Sequence, residues 1–380
     1  MRGFLLTLTM LLTGTLIWAQ QVSQNQYRFE FLANLPCTTV KDQAKTGTCW
    51  SFSTNSLLES ESLRLGSEAV DLSEMFYVRK TYVDKARKYV RYHGTTNFSD
   101  GSLSHDVFHG LKTYGAIPES VYNGIPTGEK EHNHQELHKE LKHYLDTLIA
   151  QRTIPNDWQS GFEAILDHHL GPVPDTFEFN GGMFDAMSFA DSFVSPNPAD
   201  YLTFTSFLHH PVYDTFVLEI PDNYAHGLYY NVALEDLFQI AKHAVMQGYT
   251  LAWDCDVSEK GFSSRQGLAL VPDLPHQGSD GNSAINPFDA PGPEKDITPE
   301  MRQGEFDTYS LTDDHLMQIV GLARDQMGTE YFYIKNSWGK DVGLNGFLFA
   351  SKSYFDLNTI GLVVHKEAVP SEILHKFKGS

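Results

Sequence analysis

The stretch Gln43-Ala44-Lys45-Thr46-Gly47-Thr48-Cys49-Trp50 decides the fold, because it sets a cysteine at the start of a helix. Residues 51–65 follow it without proline or glycine, so we expect a helix that begins at or just before Cys49. Unpaired backbone N–H groups at a helix start favour an anion, and a thiol attacks a carbonyl only as the thiolate. Cys49 is therefore the candidate nucleophile.

A nucleophilic cysteine needs partners, and the sequence offers three. His315 is the candidate base and acid, and Asn336 is the candidate residue that fixes the imidazole tautomer. Gln43, six residues before Cys49, can offer a side-chain amide beside the Cys49 backbone N–H to stabilise an oxyanion. The alternative for Cys49 is an inert buried thiol, which the company of these three residues disfavours.

Three segments resemble the motifs of papain-like cysteine peptidases, in the same order. Residues 43–50 resemble the nucleophile motif, residues 314–321 (DHLMQIVG) the histidine strand, and residues 333–339 (YIKNSWG) the asparagine motif. The resemblance implies an α+β fold with two lobes, in which a helical lobe that presents Cys49 faces a strand-rich lobe that presents His315 and Asn336. It also implies hydrolysis of peptide bonds through an acyl-enzyme on Cys49, without a cofactor.

The spacing of the motifs selects a branch of this family. Papain-type enzymes place the histidine about 130–150 residues after the cysteine, whereas His315 follows Cys49 by 266 residues. The pattern is similar to that of bleomycin hydrolases and aminopeptidase C enzymes, as are residues 115–122, 253–257 and 343–347. Within a peptidase domain of residues 21–380, we expect a helical lobe at about 36–125, an insertion at about 126–310 and a β-rich lobe at about 311–368.

The resemblance also marks a substrate-binding set. Gly101 and Ser102 lie where the family places glycines that let a peptide run along the backbone. Trp338 is expected to cover the hydrogen bond between Asn336 and His315, and Trp50 completes the set.

The C-terminus departs from the branch pattern. In that branch a terminal arm lies in the cleft, and its end carboxylate meets the free amine of the substrate. This chain ends at Ser380 and lacks the usual Pro-Trp-Asp ending of the arm. An aminopeptidase is expected from the resemblance, while an endopeptidase of the same fold and a catalytically silent peptide-binding homologue stay open.

Composition and charge narrow the partners and the location. A net charge of −20 without a basic run excludes a nucleic-acid partner. Residues 1–20 have the form of an export signal, with Arg2 followed by an apolar stretch and small or polar residues at 19–20. We therefore expect a periplasmic or extracellular protein without stable membrane insertion, because the apolar run is shorter and more broken than a spanning helix requires.

The remaining cysteines and the histidines are assigned structural roles. Cys37 and Cys255 are expected to be buried thiols or a mutual disulfide. The histidines of residues 132–143 crowd one segment, but no recognisable ligand set accompanies them, so no metal is predicted. Homo-oligomerisation as a hexameric ring is implied by the resemblance alone.

Periodicity predicts helices early and strands late, which is the pattern of an α+β protein. We expect a helix from Ser73 to Lys88, capped by Ser73, and a helix at 105–114. Helices are also expected within 129–152, with Leu137, Leu141, Leu145 and Leu148 facing the core or another subunit, and at 234–247. Strands are expected at 250–253, 316–322, 331–335, 347–350 and 361–365, with irregular loops and short strands at 175–220. Residues 271–308 are expected to be the least ordered part.

Overall fold

The computed structural model describes residues 20–21, 26–68, 70–273 and 286–377. Of the predicted signal, residues 1–19 lie outside the described residues. The helices are α1 Cys49–Arg64, α2 Glu74–Arg91, α3 Ser104–Tyr114, α4 Gln135–Ile149, α5 Trp158–Leu170, α6 Ala186–Phe193, α7 Leu234–Met246, α8 Pro299–Asp307, α9 Lys352–Asn358 and α10 Ser371–Leu374.

The strands fall into one large sheet and one hairpin. They are β1 Gln20–Gln21, β2 Arg28–Asn34, β3 Phe177–Phe179, β4 Gly182–Phe184, β5 Tyr201–Thr205, β6 Thr215–Val217, β7 Leu228–Asn231, β8 Leu251–Cys255, β9 Phe262–Ser263, β10 Leu268–Ala269, β11 His315–Arg324, β12 Glu330–Lys335, β13 Phe347–Ser351 and β14 Thr359–His365. In the described part of the chain, the sheet order is β6-β7-β5-β14-β8-β11-β12-β13-β10-β9. β2 also pairs with β11, β1 pairs with β2, and β3 and β4 form the hairpin. The sheet thus gathers strands from the N-terminal segment, the insertion and the C-terminal segment.

Strand register brings the predicted histidine and asparagine together. β11 and β12 pair antiparallel, with Gln318 opposite Lys335. His315 is the first residue of β11 and Asn336 directly follows β12, so both lie at the same end of this ladder. On its other side β11 pairs with β8, where Leu316 lies opposite Asp254.

Helix α1 is rich in polar residues yet almost fully buried, and hydrogen bonds to the sheet make this burial tolerable. Ser53 Oγ donates to Met317 O at 2.7 Å, and Ser56 Oγ donates to Gln318 Oε1 at 2.6 Å. Both acceptors belong to β11. Because a buried hydroxyl without a partner costs about 1–3 kcal/mol, these bonds favour one position of α1 along the histidine strand.

Two large apolar clusters fill the molecule. Helices α1 to α5 share one cluster, and the sheet packs the other against α7 and α9. Leu137, Leu141, Leu145 and Leu148 of α4 are all buried in the first cluster, which confirms the core-facing alternative for these leucines.

Most predicted elements are confirmed. α1 begins at Cys49, and Ser73 caps α2 because its hydroxyl accepts from the Phe76 N–H. α3 ends before Gly115, which has a φ of 81° that glycine adopts readily. The strands exceed their predicted bounds by one or two residues at one or both ends, and β8 begins one residue later than predicted.

Five helices were missed, namely α5, α6, α8, α9 and α10. Neither α5 nor α6 was predicted, although Asp185 caps α6 by accepting from the Ser188 N–H. α8 lies inside the stretch expected to be the least ordered, so that expectation was wrong for residues 299–307. A buried arginine, Arg302, ties α8 down by donating to the carbonyls of Ser206 and Leu357 at 2.7 and 2.8 Å. Residues 274–285 of that stretch lie outside the described part.

Candidate active site

Cys49 is the first residue of α1, and a hydrogen bond to Asp100 fixes the loop before it. Thr48 is the N-cap, and no acidic residue lies in the first turn of the helix. The Gly47 N–H donates to Asp100 Oδ2 at 2.6 Å, and a side chain at Gly47 would collide with that carboxylate. The Cys49 thiol is thus buried at the positive end of a helix.

A continuous hydrogen-bond chain joins the other three predicted catalytic residues. His315 Nε2 lies 2.7 Å from Asn336 Oδ1, which also accepts from the Ser337 N–H at 2.7 Å. Ser337 Oγ donates to Gln43 Oε1 at 2.6 Å. Because Asn336 Oδ1 accepts both bonds, His315 Nε2 carries the proton and Nδ1 is left as an acceptor.

The same chain orients the amide of Gln43. Its Oε1 is held by Ser337, and its Nε2 donates to Thr46 O at 2.8 Å, which leaves one further amide hydrogen for another acceptor. Ser337 therefore links the glutamine and the asparagine, a role that the sequence analysis missed. Its position between Asn336 and Trp338 in the asparagine motif was the available signal.

Trp338 stacks against the catalytic imidazole. Its ring centroid lies 4.6 Å from that of His315, with the planes tilted by 31°. This position agrees with the expected cover over the bond between His315 and Asn336. An apolar face beside such a bond limits access by water, which would otherwise compete for the same donor and acceptor.

Burial disfavours the charged forms of both the nucleophile and its base. Burial raises the pKa of the Cys49 thiol, a backbone N–H of Leu316 at the sulfur lowers it, and the carboxylates of Asp254, Asp313 and Asp222 raise it again. Burial also lowers the pKa of His315 to about 4, against the bond to Asn336, which raises it. The Leu316 contact places the sulfur next to the residue that follows His315.

Two of the predicted substrate contacts are not accessible. Trp50 and Ser102 are each about 1% exposed. The Trp50 indole N–H donates to Asp100 O at 3.0 Å, and Ser102 Oγ donates to Asp106 Oδ2 at 2.6 Å. Both side chains hold the segment around Gly101 in place, so they support the cleft without lining it. The correction follows from packing, which a motif alone does not reveal.

Gly101 itself faces a carboxylate. A Cβ built on this glycine would lie 1.9 Å from Asp222 Oδ2, far inside contact distance. Asp222 is positioned through its other oxygen, which accepts from Asn97 Nδ2 and Ser99 Oγ at 3.1 Å each. The buried ammonium of Lys85 donates to Gly101 O.

Asp222, Asp254 and Asp313 form an acidic group that the sequence analysis did not single out. Asp254 is on β8 opposite Leu316, Asp313 precedes His315 by two residues, and Asp222 lies between β6 and β7. Burial raises the pKa of Asp254 well above its usual range and that of Asp313 to about 7, and neighbouring carboxylates add to both shifts. The available signal was a carboxylate inside the otherwise apolar strand of residues 251–255.

The remaining candidates lie apart from these contacts. Cys37 and Cys255 are free thiols, and Cys255 is fully buried in β8. Within the described ranges, the histidine and acid group close enough to share a metal ion is His209, His210 and Glu219, with both imidazoles within 3.2 Å of the carboxylate. His209 and His210 are one of the adjacent histidine pairs in the sequence for which no metal was predicted, and both are exposed or half-buried.

These features define a thiol peptidase of papain-like fold. They are a buried thiol at a helix start, an imidazole held by an amide, and a glutamine amide in the loop before the thiol. The family model described as "Papain family cysteine protease" matches residues 28–155, and the one described as "Peptidase C1-like family" matches residues 177–380. The second match spans more than half of the chain. The chain belongs to the Peptidase C1-like family and is a cysteine peptidase.

Curated relatives cover almost the whole chain. Bleomycin hydrolase of Gallus gallus is 23% identical over 88% of this chain and 82% of its own length. Aminopeptidase C of Lactococcus lactis subsp. cremoris is 23% identical over 92% and 85%, and aminopeptidase G of Lactobacillus delbrueckii subsp. lactis is 24% identical over 89% and 83%. These matches agree with the branch that the motif spacing indicated.

A solved structure supports the fold. PepW from Lactobacillus rhamnosis HN001 superposes with a TM-score of 0.69 at 18% identity, over 91% of this chain and 84% of that one. The α+β papain-like fold predicted from the three motifs is thereby confirmed. In the described ranges, no helix is both long and apolar enough to cross a bilayer.

Proposed function

We propose that this peptidase is an aminopeptidase that removes residues from the free N-terminus of peptides. Cys49 is the nucleophile, His315 exchanges its proton, and Asn336 holds the imidazole by the 2.7 Å bond to Nε2. Gln43 and the Cys49 N–H stabilise the oxyanion. The relatives named aminopeptidase C and aminopeptidase G support this proposal, since they span nearly the whole chain.

The reaction then follows from the groups in place. The thiol proton passes to His315 Nδ1 while the sulfur attacks the scissile carbonyl, and the negative charge that forms on oxygen faces the Gln43 amide. The imidazolium returns the proton to the departing amine as the C–N bond breaks, which leaves a thioester on Cys49. Water, deprotonated by His315, hydrolyses the thioester and restores the thiol.

One observation favours an exopeptidase over an endopeptidase. The space that the missing side chain of Gly101 leaves is filled by the Asp222 carboxylate. The sequence analysis had assigned this space to a peptide running alongside the backbone. A substrate that continues past this point on its N-terminal side would have to displace Asp222, whereas one that ends before it would not.

A matched set of peptides tests the proposal. The purified protein is incubated with peptides of identical sequence that carry a free or an acetylated N-terminus, and products are read by mass spectrometry over time. We expect stepwise loss of N-terminal residues from free peptides and at least about a hundredfold slower turnover of acetylated ones.

Internal cleavage of both peptide forms at equal rates would contradict the aminopeptidase and favour the endopeptidase. Turnover of neither form, with Cys49 unreactive towards iodoacetamide, would favour the catalytically silent homologue. The Cys49→Ala variant is the control for contaminating peptidases in every arm.

We also propose that residues 1–20 direct export and that the mature protein is periplasmic or extracellular. The support is the charged start and the apolar stretch of residues 4–18. An intact mass of protein recovered from its native source that begins close to Gln21 is the expected result. A retained Met1 would contradict export by this signal. Assembly into a hexamer stays a prediction, which light scattering on the purified protein tests.

A further inference from the structure

A small cavity lies beside the nucleophile and contains a buried carboxylate. Leu103, Tyr229, Asp254 and Leu316 are among the residues that line it. Leu316 lines this cavity, and its backbone N–H lies at the Cys49 sulfur. One residue therefore separates the cavity from the reacting atom. Apart from Asp254, these lining side chains are largely apolar.

The Asp254 carboxylate in this cavity lacks a hydrogen-bond donor. It is 4% exposed, and among the described residues no donor reaches either of its oxygens or Oδ2 of Asp313. The carboxyl group of Asp313 is a near neighbour and, together with burial, raises the pKa of Asp254 well above its usual range. A buried carboxylate without a donor is costly, and a cation placed beside Asp254 and Asp313 would offset that cost.

Asp222, in the segment between β6 and β7, adds a third carboxylate that acts on both Asp254 and Asp313. Asn97 and Ser99 occupy its Oδ1, and its Oδ2 points at Gly101. Lys85 is the cation that acts on Asp222 and on Asp313, but its ammonium donates to the carbonyls of Ser99 and Gly101. Lys85 also faces the carboxylates of Asp100 and Asp106, so acidic side chains outnumber the lysine around it.

We propose that Asp222, Asp254 and Asp313 form the subsite that binds the α-ammonium group of the substrate. A primary ammonium offers three N–H donors, which matches three carboxylates that accept. In a peptide the α-nitrogen lies about 2.5 Å from the carbonyl carbon of the same residue. An aminopeptidase that removes single residues must therefore bind the ammonium directly beside its nucleophile, as these carboxylates do.

The inference rests on the proposed aminopeptidase activity and specifies how it is achieved. The family resemblance implied that a terminal carboxylate meets the free amine. Here three side-chain carboxylates, two from strand ends of the sheet and one from the insertion, supply the negative charge. The same carboxylates could receive a lysine or arginine side chain of a longer substrate, so the experiment must separate an α-ammonium from a side-chain cation.

The test is a double-mutant cycle between protein and substrate. We compare wild type with three variants, Asp222→Asn, Asp254→Asn and Asp313→Asn. Each is assayed on two anilide substrates, one with an α-amino group and one with a hydrogen atom in its place. Removal of the amine should lower kcat/KM of the wild type at least about a hundredfold. In Asp254→Asn and Asp313→Asn this penalty should shrink to within about threefold, because kcat/KM for the free amine falls at least about thirtyfold, mainly through KM.

Two controls separate this role from a structural one. Asp191→Asn removes an exposed carboxylate on α6 and should keep the wild-type penalty. On the anilide without the amine, Asp254→Asn and Asp313→Asn should keep a kcat/KM within about threefold of wild type, because that substrate has no ammonium for the carboxylates to bind. A variant that is merely misfolded would lose turnover on both anilides.

The outcomes distinguish the two proposals. Suppose that wild type acts on free N-termini, yet all three variants lose as much kcat/KM as wild type when the amine is removed. The proposed subsite is then wrong, and the proposed aminopeptidase activity is retained. If wild type cleaves blocked peptides after a lysine or arginine and the variants lose that preference, the carboxylates bind a side chain and both proposals fail.

Discussion

The catalytic residues and the acidic group lie on neighbouring strands but differ in how their polar atoms are satisfied. His315, Asn336 and Gln43 form a hydrogen-bond chain with Ser337, with distances of 2.6–2.7 Å. Asp254 lies opposite Leu316 in the ladder of β8 and β11. No hydrogen-bond donor among the described residues reaches its carboxylate. The polar atoms of the catalytic residues are thus satisfied without substrate, whereas the acidic group requires a cation to satisfy its oxygens. Chemistry and selection are therefore separable by mutation.

The largest effect should come from the nucleophile. Cys49→Ala removes the attacking sulfur, and we expect kcat/KM on free peptides to fall at least about 10³-fold. Cys37→Ala is the matched control, since Cys37 is a half-buried free thiol outside the hydrogen-bond chain. Steady-state rates of both variants check this. Full activity in Cys49→Ala would remove the basis for separating the two regions.

A smaller loss should follow from the oxyanion donor. Gln43→Glu keeps the acceptor that Ser337 Oγ uses but replaces the amide N–H with an ionised oxygen. The expected fall in kcat is about 10²–10³-fold with KM nearly unchanged, because the donor acts in the transition state. Separate measurement of kcat and KM checks it. A rise in KM alone would move Gln43 from catalysis to ground-state binding.

Acidity should act on the acidic group more than on the catalytic chain. The pKa of Asp313 is raised to about 7 by burial and by Asp222 and Asp314, against Asp254 and Lys85, which lower it. Only its ionised form attracts an ammonium, so KM for a free-amine substrate should fall up to about tenfold between pH 6 and 7.5. Above about pH 8 the α-amine loses its proton and KM should rise again.

The Asp313→Asn variant sharpens that pH test. Its KM should be flat between pH 6 and 7.5, while its kcat should follow the wild-type profile. If KM of the wild type does not change over this range, the ionisation of Asp313 does not affect substrate binding. An equal change in both proteins would assign the titration to another group.

The smallest effect on turnover should come from the core of the insertion. Leu141 in α4 is fully buried, so Leu141→Ala should lower the free energy of unfolding by about 2–5 kcal/mol. Turnover of the folded fraction should stay within about twofold, since α4 contributes no residue to either region. Denaturant unfolding and rates below the transition check this. Loss of turnover at unchanged stability would reveal coupling between α4 and the cleft.

The sequence predicted the catalytic chemistry well because motifs keep reacting groups at fixed places along strands and helices. Cys49 at the start of α1 and the paired strands β11 and β12 needed only local patterns. Asp222 and Asp254 could not be predicted in the same way. Their proximity depends on the pairing of β8 with β11 and on the folding of a long insertion over Gly101, and neither has a local signature.

The errors have the same physical origin. Trp50 and Ser102 lie next to motif residues in sequence but are buried by packing, so their side chains support Asp100 and Asp106. α8 was hidden in a stretch rich in proline and glycine. Its start signal, Thr298 followed by Pro299, was nevertheless present, with the Thr298 hydroxyl accepting from the Met301 N–H.

One measurement tests the central claim directly, namely which piece of substrate is attached to Cys49 during turnover. A free pentapeptide of five different residues is mixed with the protein and quenched in acid within milliseconds, and the intact protein and its Cys49 peptide are weighed by mass spectrometry. The account predicts a thioester on Cys49 that carries the first residue alone. An adduct of several residues, or an adduct on another side chain, would contradict it.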